Sequence, residues 1–371
     1  MTRAASRTET DAVYMRRALA LARSGWGQTA PNPMVGAVVV AGGVVVGEGY
    51  HARYGGPHAE VVALDAAGAR ARGATLYVTL EPCAHYGKTP PCVDSVIAAG
   101  ISRVVIAVRD PSDVARGGVE RLRAKGIDVD LGIESNAALE LNAPFFNAHA
   151  SDRPWVTLKL AISADGAVAD PSGQVRWITG PEARREVHRL RANADAVAVG
   201  IGTVLADDPA LTVRDAPPPR VAPRRVIFDS SLRTPPDSTL VVTAREVATT
   251  VFARAGAADS ARRRLEQAGV DVREAPTLDE ALKSLRSEGV RALFLECGPR
   301  LAGSFLEQSL VDRLIIFRSP IVLGNGAPQA FGYAPPGFET GLGRGRIVAE
   351  QRFGDDVMTI YTLKDVPCSP D

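Results

Sequence analysis

Strand-like apolar runs alternate with helical stretches along nearly the whole chain, and this alternation loses its period once. The first series contains VGAVVV, VVVGEGY, ATLYVTL, RVVIAV and IDVDLGI. The second contains WVTLKLAIS, DAVAVGIG, RRVIFD, TTVFARA, RALFLECG and DRLIIFRSPIVL. Strands separated by helices fold as α/β sheets with helices on their faces. The break falls at NAPFFNAHASDRPW, where Pro144, Pro154 and small polar residues read as a linker. At 371 residues the chain exceeds what one core usually supports. Two α/β domains are therefore expected, 1–146 and 147–371.

In the first series, residues 10–24 read as a helix, and Ala-Gly-Gly at 41–43 turns a β-hairpin. HAEVVALDAAGARAR reads as a helix closed by Gly73. Pro90 and Pro91 suit the first turn of PPCVDSVIAAG, which ends at Gly100. PPPRVAPR at 217–224 is a proline-rich loop in the second half, and DVPCSPD a loose tail.

Charge narrows the partners. A formal net charge of +1 gives no long-range pull toward nucleic acid or an anionic membrane. No apolar run reaches the roughly 18 residues of a spanning helix, and MTRAASRTETD lacks a signal-peptide core. A cytoplasmic protein is expected. Its four cysteines do not make a disulfide scaffold.

EPCAHYGKTPPC, residues 81–92, holds Cys83 and Cys92 with eight residues between them. A disulfide, a structural metal clip, a redox pair and two ligands of a catalytic metal all fit the pair alone. Upstream, His58-Ala59-Glu60 opens a helix, beside the positive end of its dipole. Two thiolates and one imidazole give tetrahedral zinc three ligands and leave one position for water. Zinc lowers the pKa of that water from about 15.7 toward roughly 7. Glu60, not itself a ligand, is placed to carry a proton to a departing amine. His-x-Glu followed by Pro-Cys is the pattern of zinc deaminases of nucleobases. The rival is a closed structural site with His85 as fourth ligand. His149, in the break, and His188, on a charged helix, read as surface groups. Cys297 and Cys368 lack partner motifs and read as ordinary residues.

In the second half, RALFLECGPRLAGSFLEQSL is an apolar strand, a glycine-bearing turn and a helix. Backbone N–H groups at such a turn cradle phosphates. Gly200-Ile201-Gly202-Thr203 and the Leu-Ala-Asp-Asp-Pro run at 205–209 strengthen a nucleotide reading.

Family resemblance adds to this. Cytidine and tRNA-adenosine deaminases typically place two residues between their cysteines. The longer gap here resembles the deaminases of riboflavin biosynthesis, as do Pro31-Asn32-Pro33, Gly49-Tyr50-His51, Pro57-His58-Ala59-Glu60 and Thr79-Leu80-Glu81-Pro82-Cys83. The second half resembles the reductase domain fused to that deaminase in many bacteria, similar in fold to dihydrofolate reductase. The carrying pieces are residues 158–166, 177–179, 189–191, 200–214, 229–230 and 296–303. One departure stands out: Asp110-Pro111-Ser112-Asp113 replaces the Asp-Pro-Asn-Pro of many relatives.

The resemblance implies an N-terminal cytidine-deaminase-like zinc domain and a C-terminal dihydrofolate-reductase-like α/β domain. Zn2+ would sit on His58, Cys83 and Cys92, with Glu60 catalytic and Asn32, His51 and His85 lining the pyrimidine pocket. NADPH would contact Ala161, Trp177, Thr203, Asp207, Ser230, and Gly298, Pro299, Arg300, Leu301, Ala302, Gly303 and Ser304. Substrate would contact Val175, Arg191, Leu211, Arg214 and Glu296, the arginines gripping a sugar phosphate. Lys159 or Asp207 would assist protonation. The implied work is deamination of a diaminopyrimidinone ribosylamino phosphate, then reduction of its ribosyl group to ribityl. Small-molecule phosphoribosylaminopyrimidine substrates, no nucleic acid, no membrane and a homo-oligomer are expected. Alternatives are a nucleoside or tRNA deaminase, or a reductase with a purely structural zinc domain. Near-neutral charge and the lack of an aromatic-rich basic stretch argue against RNA.

Overall fold

A computed structural model of the chain describes residues 7–86, 90–172, 174–175, 177–334 and 345–367. It divides into two compact units, Met1–Ala150 with Val366–Asp371, and Ser151–Asp365. Cys368 lies outside the described residues.

The first unit is built on a five-stranded sheet. Strands β1 (Gly36–Ala41) and β2 (Val44–Tyr50) form the expected hairpin, and its turn uses Gly42 and Gly43 at φ 56° and 80°. The sheet continues through β3 (Thr75–Val78), β4 (Arg103–Ile106) and β5 (Asp128–Leu131) in the order β2-β1-β3-β4-β5. β1 is antiparallel to β2 and β3, while β3, β4 and β5 run parallel. Helices cover both faces, so β1 is buried almost throughout and reads as an unbroken apolar run. Ala37, Val39, Leu76, Val78, Val104 and Ile106 pack on one face in a single core.

Helix α2 (Ala59–Ala67) lies almost in backbone contact with β2. A Cβ on Gly47 would strike the Ala63 carbonyl, and one on Gly49 would crowd the Ala59 carbonyl and Ala63 amide. The glycines of VVVGEGY and the alanines of α2 therefore set how deeply the helix seats. That depth fixes where the N-terminus of α2, and with it His58, comes to rest.

The break at NAPFFNAHASDRPW is largely helical, not a linker. Residues Ala143–Ala150 form a helix, spanning the position 146/147 expected for the domain boundary. Pro144 sits in its first turn, where a missing N–H does no harm. Before the helix, Asn142 takes the Met34 N–H at 2.8 Å and donates to the Met34 carbonyl at 2.9 Å.

The second unit holds a nine-stranded sheet. Its strands are β6 (Trp155–Ile162), β7 (Ala196–Gly200), β8 (Arg224–Phe228), β9 (Thr249–Ala253), β10 (Asp271–Glu274), β11 (Ala292–Leu295), β12 (Arg313–Arg318), β13 (Arg346–Phe353) and β14 (Asp356–Thr362). The order is β10-β9-β8-β7-β11-β6-β12-β14-β13. Every pair from β10 to β12 is parallel; the last two strands are antiparallel. β13 gives no apolar signal because RIVAEQRF is polar and mostly exposed, whereas β14 packs Met358 into the core. Helix α11 (Leu278–Ser287) shows the connecting logic: Thr277 caps it by accepting the Glu280 N–H, and Ala281, Leu282 and Leu285 form its buried face. The C-terminal ends of the parallel strands face one cleft, as open α/β sheets favour.

Candidate active sites

The first site gathers at two helix starts and one loop. His58 is the N-cap of α2, and Cys92 is the first residue of α3 (Cys92–Ala98). Cys83 lies in the loop after β3. His58 Nδ1 stands 3.2 Å from Cys92 Sγ and 3.6 Å from Cys83 Sγ. All three donor atoms lie within 4.8 Å of one another. Zinc bonds of about 2.3 Å to sulfur and 2.0 Å to nitrogen, set tetrahedrally, require donors about 3.5–3.8 Å apart. The side chains thus already fit the ion in number, type and spacing. Cys83 is held down to about 4 by hydrogen bonding with Cys92, aided by His58. The same bond, with burial, pushes Cys92 up.

Glu60, in the first turn of α2, is 3% exposed. Burial pushes its carboxyl above the usual range, against the pull of His58. His51 Nε2 pairs with Asn32 at 3.2 Å and its Nδ1 with the Pro57 carbonyl at 3.0 Å. Its ring meets that of His58 edge-on at 5.4 Å. The expected Asn32–His51 pocket wall therefore stands against the metal triad. Among the described residues, His85 is not a member of the triad, and its buried Nδ1 has no hydrogen-bond partner.

Glu81 has a role that the sequence does not show. Its buried carboxylate accepts the amides of Asp110 (3.2 Å), Gly117 (3.2 Å) and Val119 (3.0 Å). It ties the cysteine loop to the segment 110–119, which carries the departure from Asp-Pro-Asn-Pro. Gly118 is part of the same join, since a Cβ there would strike the Pro82 carbonyl. Burial lifts Asp110 to about 6, and Glu81 adds to the lift.

The second site is a cleft of about 2100 Å³. Among the residues expected to bind cofactor, Ala161, Trp177, Thr203, Asp207, Ser230, Gly298, Pro299, Arg300, Leu301 and Ser304 line it. Ala302 and Gly303 do not. Helix α12 (Pro299–Glu307) turns them inward, Ala302 into the core and Gly303 against the Tyr333 backbone. Gly298 is the N-cap and offers no side chain to the first amides of α12. Those amides are free to meet a phosphate, so the residues fit a dinucleotide.

All five expected substrate contacts also line the cleft. At their centre Glu296 receives a two-pronged bond from Arg191 through Nε and Nη2, and Lys159 Nζ lies 3.8 Å away. Arg191 Nη1 also donates to the Thr212 carbonyl at 3.0 Å. Its fork is thus largely occupied, unlike that of Arg214, whose Nη1 reaches Thr212 Oγ1 at 3.3 Å. Burial tends to raise Glu296, but Arg191 and Lys159 outweigh it and hold the carboxyl low. Burial lowers Lys159. Burial also raises the Cys297 thiol, which suits an unreactive neighbour of Glu296. His188 is not the surface group expected. It is buried, and its Nδ1 lies 3.1 Å from the Arg214 N–H and 3.2 Å from the Thr212 carbonyl.

The profile of the cytidine and deoxycytidylate deaminase zinc-binding region matches residues 8–108, and that of the RibD C-terminal domain matches 154–357. Riboflavin biosynthesis protein RibD of Aquifex aeolicus is 46% identical over 321 residues, covering 86% of this chain and 89% of its own. The Escherichia coli protein of that name is 43% identical over 344 residues, covering 85% and 89%. Acinetobacter baumannii RibD aligns in structure with TM-score 0.80 at 36% identity, over 96% of this chain and 99% of its own. A Thermotoga maritima diaminohydroxyphosphoribosylaminopyrimidine deaminase/5-amino-6-(5-phosphoribosylamino)uracil reductase aligns with TM-score 0.79 at 33% identity, over the same shares.

Proposed function

The chain belongs to the RibD family, bifunctional deaminase–reductases of riboflavin biosynthesis, and from that premise we propose which residues perform each reaction. It is a zinc-dependent deaminase and an NADPH-dependent reductase in one polypeptide. The observation that carries the assignment of the first site is the His58–Cys83–Cys92 triad with buried Glu60 in the adjoining helical turn.

In the deaminase unit, His58, Cys83 and Cys92 hold the zinc. When bound, zinc supplies the Lewis acidity that makes water nucleophilic near neutral pH. Glu60 accepts the proton of that water and delivers it to the ring amine as it leaves. Its buried, upward-shifted carboxyl suits a group that must alternate between acid and base. Asn32, His51 and His85 line the pocket that orients the pyrimidine. The substrate is 2,5-diamino-6-(5-phosphoribosylamino)pyrimidin-4-one.

In the reductase unit, the amides at the start of α12 receive the NADPH phosphates, and the bound cofactor supplies a hydride. The substrate, 5-amino-6-(5-phosphoribosylamino)uracil, lies against Val175, Leu211 and Glu296. Arg214 grips its phosphate, while Arg191 holds Glu296 in place. Lys159, depressed by burial and close to Glu296, delivers the proton that accompanies ring opening. The enzyme so described is cytoplasmic, homo-oligomeric and free of nucleic acid. Among the described residues no helix is long and apolar enough to cross a membrane.

Purified protein given the diaminopyrimidinone with and without NADPH tests the reading. Deamination alone is expected without cofactor, and ribityl product with it. Reduction that precedes deamination, or ammonia release that requires NADPH, would overturn it.

A further inference from the structure

The reduction centre occupies only one end of its cleft. Lys159 on β6 and Glu296 after β11 mark that end. From β11 the sheet runs through β7 and β8 to β9. Three strand spacings span about 14 Å, comparable to the reach of an extended dinucleotide. The cleft wall follows the same direction as far as Leu278, beyond β10, and among the described residues none of β12 contributes to it. A cofactor with its nicotinamide at Lys159 and Glu296, and its pyrophosphate at α12, has this direction for its adenosine.

Two arginines wait at that far end. Arg254 is the first residue after β9, and its N–H donates to the Ser230 carbonyl at 3.1 Å. Arg233 rides on a tight turn after β8. There Asp229 Oδ2 accepts the Thr234 N–H at 2.7 Å and its hydroxyl at 2.8 Å, and Leu232 N–H reaches the Asp229 carbonyl at 3.2 Å. Both arginines line the cleft and are exposed. Among the described residues, neither guanidinium has an ion pair or a hydrogen bond. By contrast, Arg191 is paired with Glu296, Arg184 lies over Trp177 at 5.2 Å, and Arg300 over Tyr333 at 5.4 Å.

We propose that Arg233 and Arg254 clamp the 2′-phosphate of NADPH and so set the preference for NADPH over NADH. A phosphate monoester carries close to two negative charges near neutral pH. Two arginine forks on a rigid turn and a strand end match it. The 2′-hydroxyl of NADH gives them nothing to neutralise. The proposal rests on the placement of NADPH given above.

Calorimetry on the full-length, zinc-loaded protein tests it with adenosine 2′,5′-bisphosphate and 5′-AMP as probes. The bisphosphate should bind the wild type tenfold or more tightly than AMP, the worth of about one charge-assisted hydrogen bond. The double variant Arg233→Ala/Arg254→Ala should erase that difference and leave AMP affinity and the deamination rate unchanged. Retention of the tenfold preference by the double variant overturns the proposal, as does an equal loss of both probes. A wild type that binds neither probe nor NADPH overturns the cofactor placement as well.

Discussion

The two sites are assembled in different ways. The deaminase centre draws its ligands from residues 58 to 92, on two helix starts and the loop before one of them. The reductase centre collects Lys159, Arg191, Leu211, Arg214 and Glu296 from four separate stretches of the second unit. A local site needs the right helix depth and one loop. A dispersed site needs the whole sheet to close before its charges meet. The first should therefore fail by losing chemistry or metal, the second by losing fold.

The largest expected effect separates chemistry from metal. Glu60→Gln should lower the deamination rate by roughly 10²–10⁴-fold, the range for a lost acid–base group. Zinc content by atomic spectroscopy should stay at wild-type level. Loss of zinc in that variant would mean Glu60 belongs to the metal cage and the local site is less divisible than described.

Glu296 probes the dispersed centre. Glu296→Ala leaves Arg191 and Lys159, side chains 12% and 16% exposed, without their shared counter-charge. Removing one partner of such a pair costs about 3–5 kcal/mol. The second unit should unfold at markedly lower urea, and reduction should vanish, while deamination persists. If stability is unchanged, the ion cluster is no keystone and the contrast with the local site weakens.

Glu81 tests how far the local site depends on its supports. Glu81→Ala orphans three amides, the buried ones of Asp110 and Val119 and the half-buried one of Gly117. Loss of an outer support of a metal site typically weakens metal binding by about 10–100-fold. Competition with a chromogenic chelator should show a shift in that range, with the reductase untouched.

The difference in assembly also explains what could be read from the sequence. The strand–helix alternation reports core faces directly, so two α/β units were plain. His58, Glu60, Cys83 and Cys92 were equally plain, because their residue types and spacing are the chemistry. Glu81 was not, since its work is to bind amides from residues 110 to 119, and only folding brings them near. His188 was misread for a related reason. It sits in PEARREVHRLR among charged neighbours that suggest solvent, yet the helix turns Ala183, Val187 and His188 inward. The inward turn of Ala302 and Gly303 was hidden for a similar reason: a continuous motif does not show which part of a helix faces the core. Strand β13 escaped because an exposed sheet edge leaves no apolar signature.

His188 offers the smallest and most particular test of the dispersed site. Burial lowers its pKa, and the charges of Arg191 and Arg214 lower it further. Glu296, the nearby acid, works the other way. The folded protein therefore keeps His188 neutral, with Nδ1 placed to accept the Arg214 N–H. A histidine with a depressed folded pKa binds fewer protons folded than unfolded. Its contribution is intact above its unfolded pKa of about 6.5 and is lost as pH falls below that value. The slope is bounded by one proton, about 1.4 kcal/mol per pH unit. Protonation of the folded protein, which sets in only below its depressed pKa, would also remove the acceptor that holds Arg214, so KM for the phosphorylated substrate should rise at still lower pH, with less change in kcat. His188→Gln keeps an acceptor that does not titrate and should flatten both dependences. Urea midpoints and reductase kinetics at about pH 7.5 and about pH 5.5 decide the matter. Identical slopes in variant and wild type would show that Arg214 is positioned without this histidine.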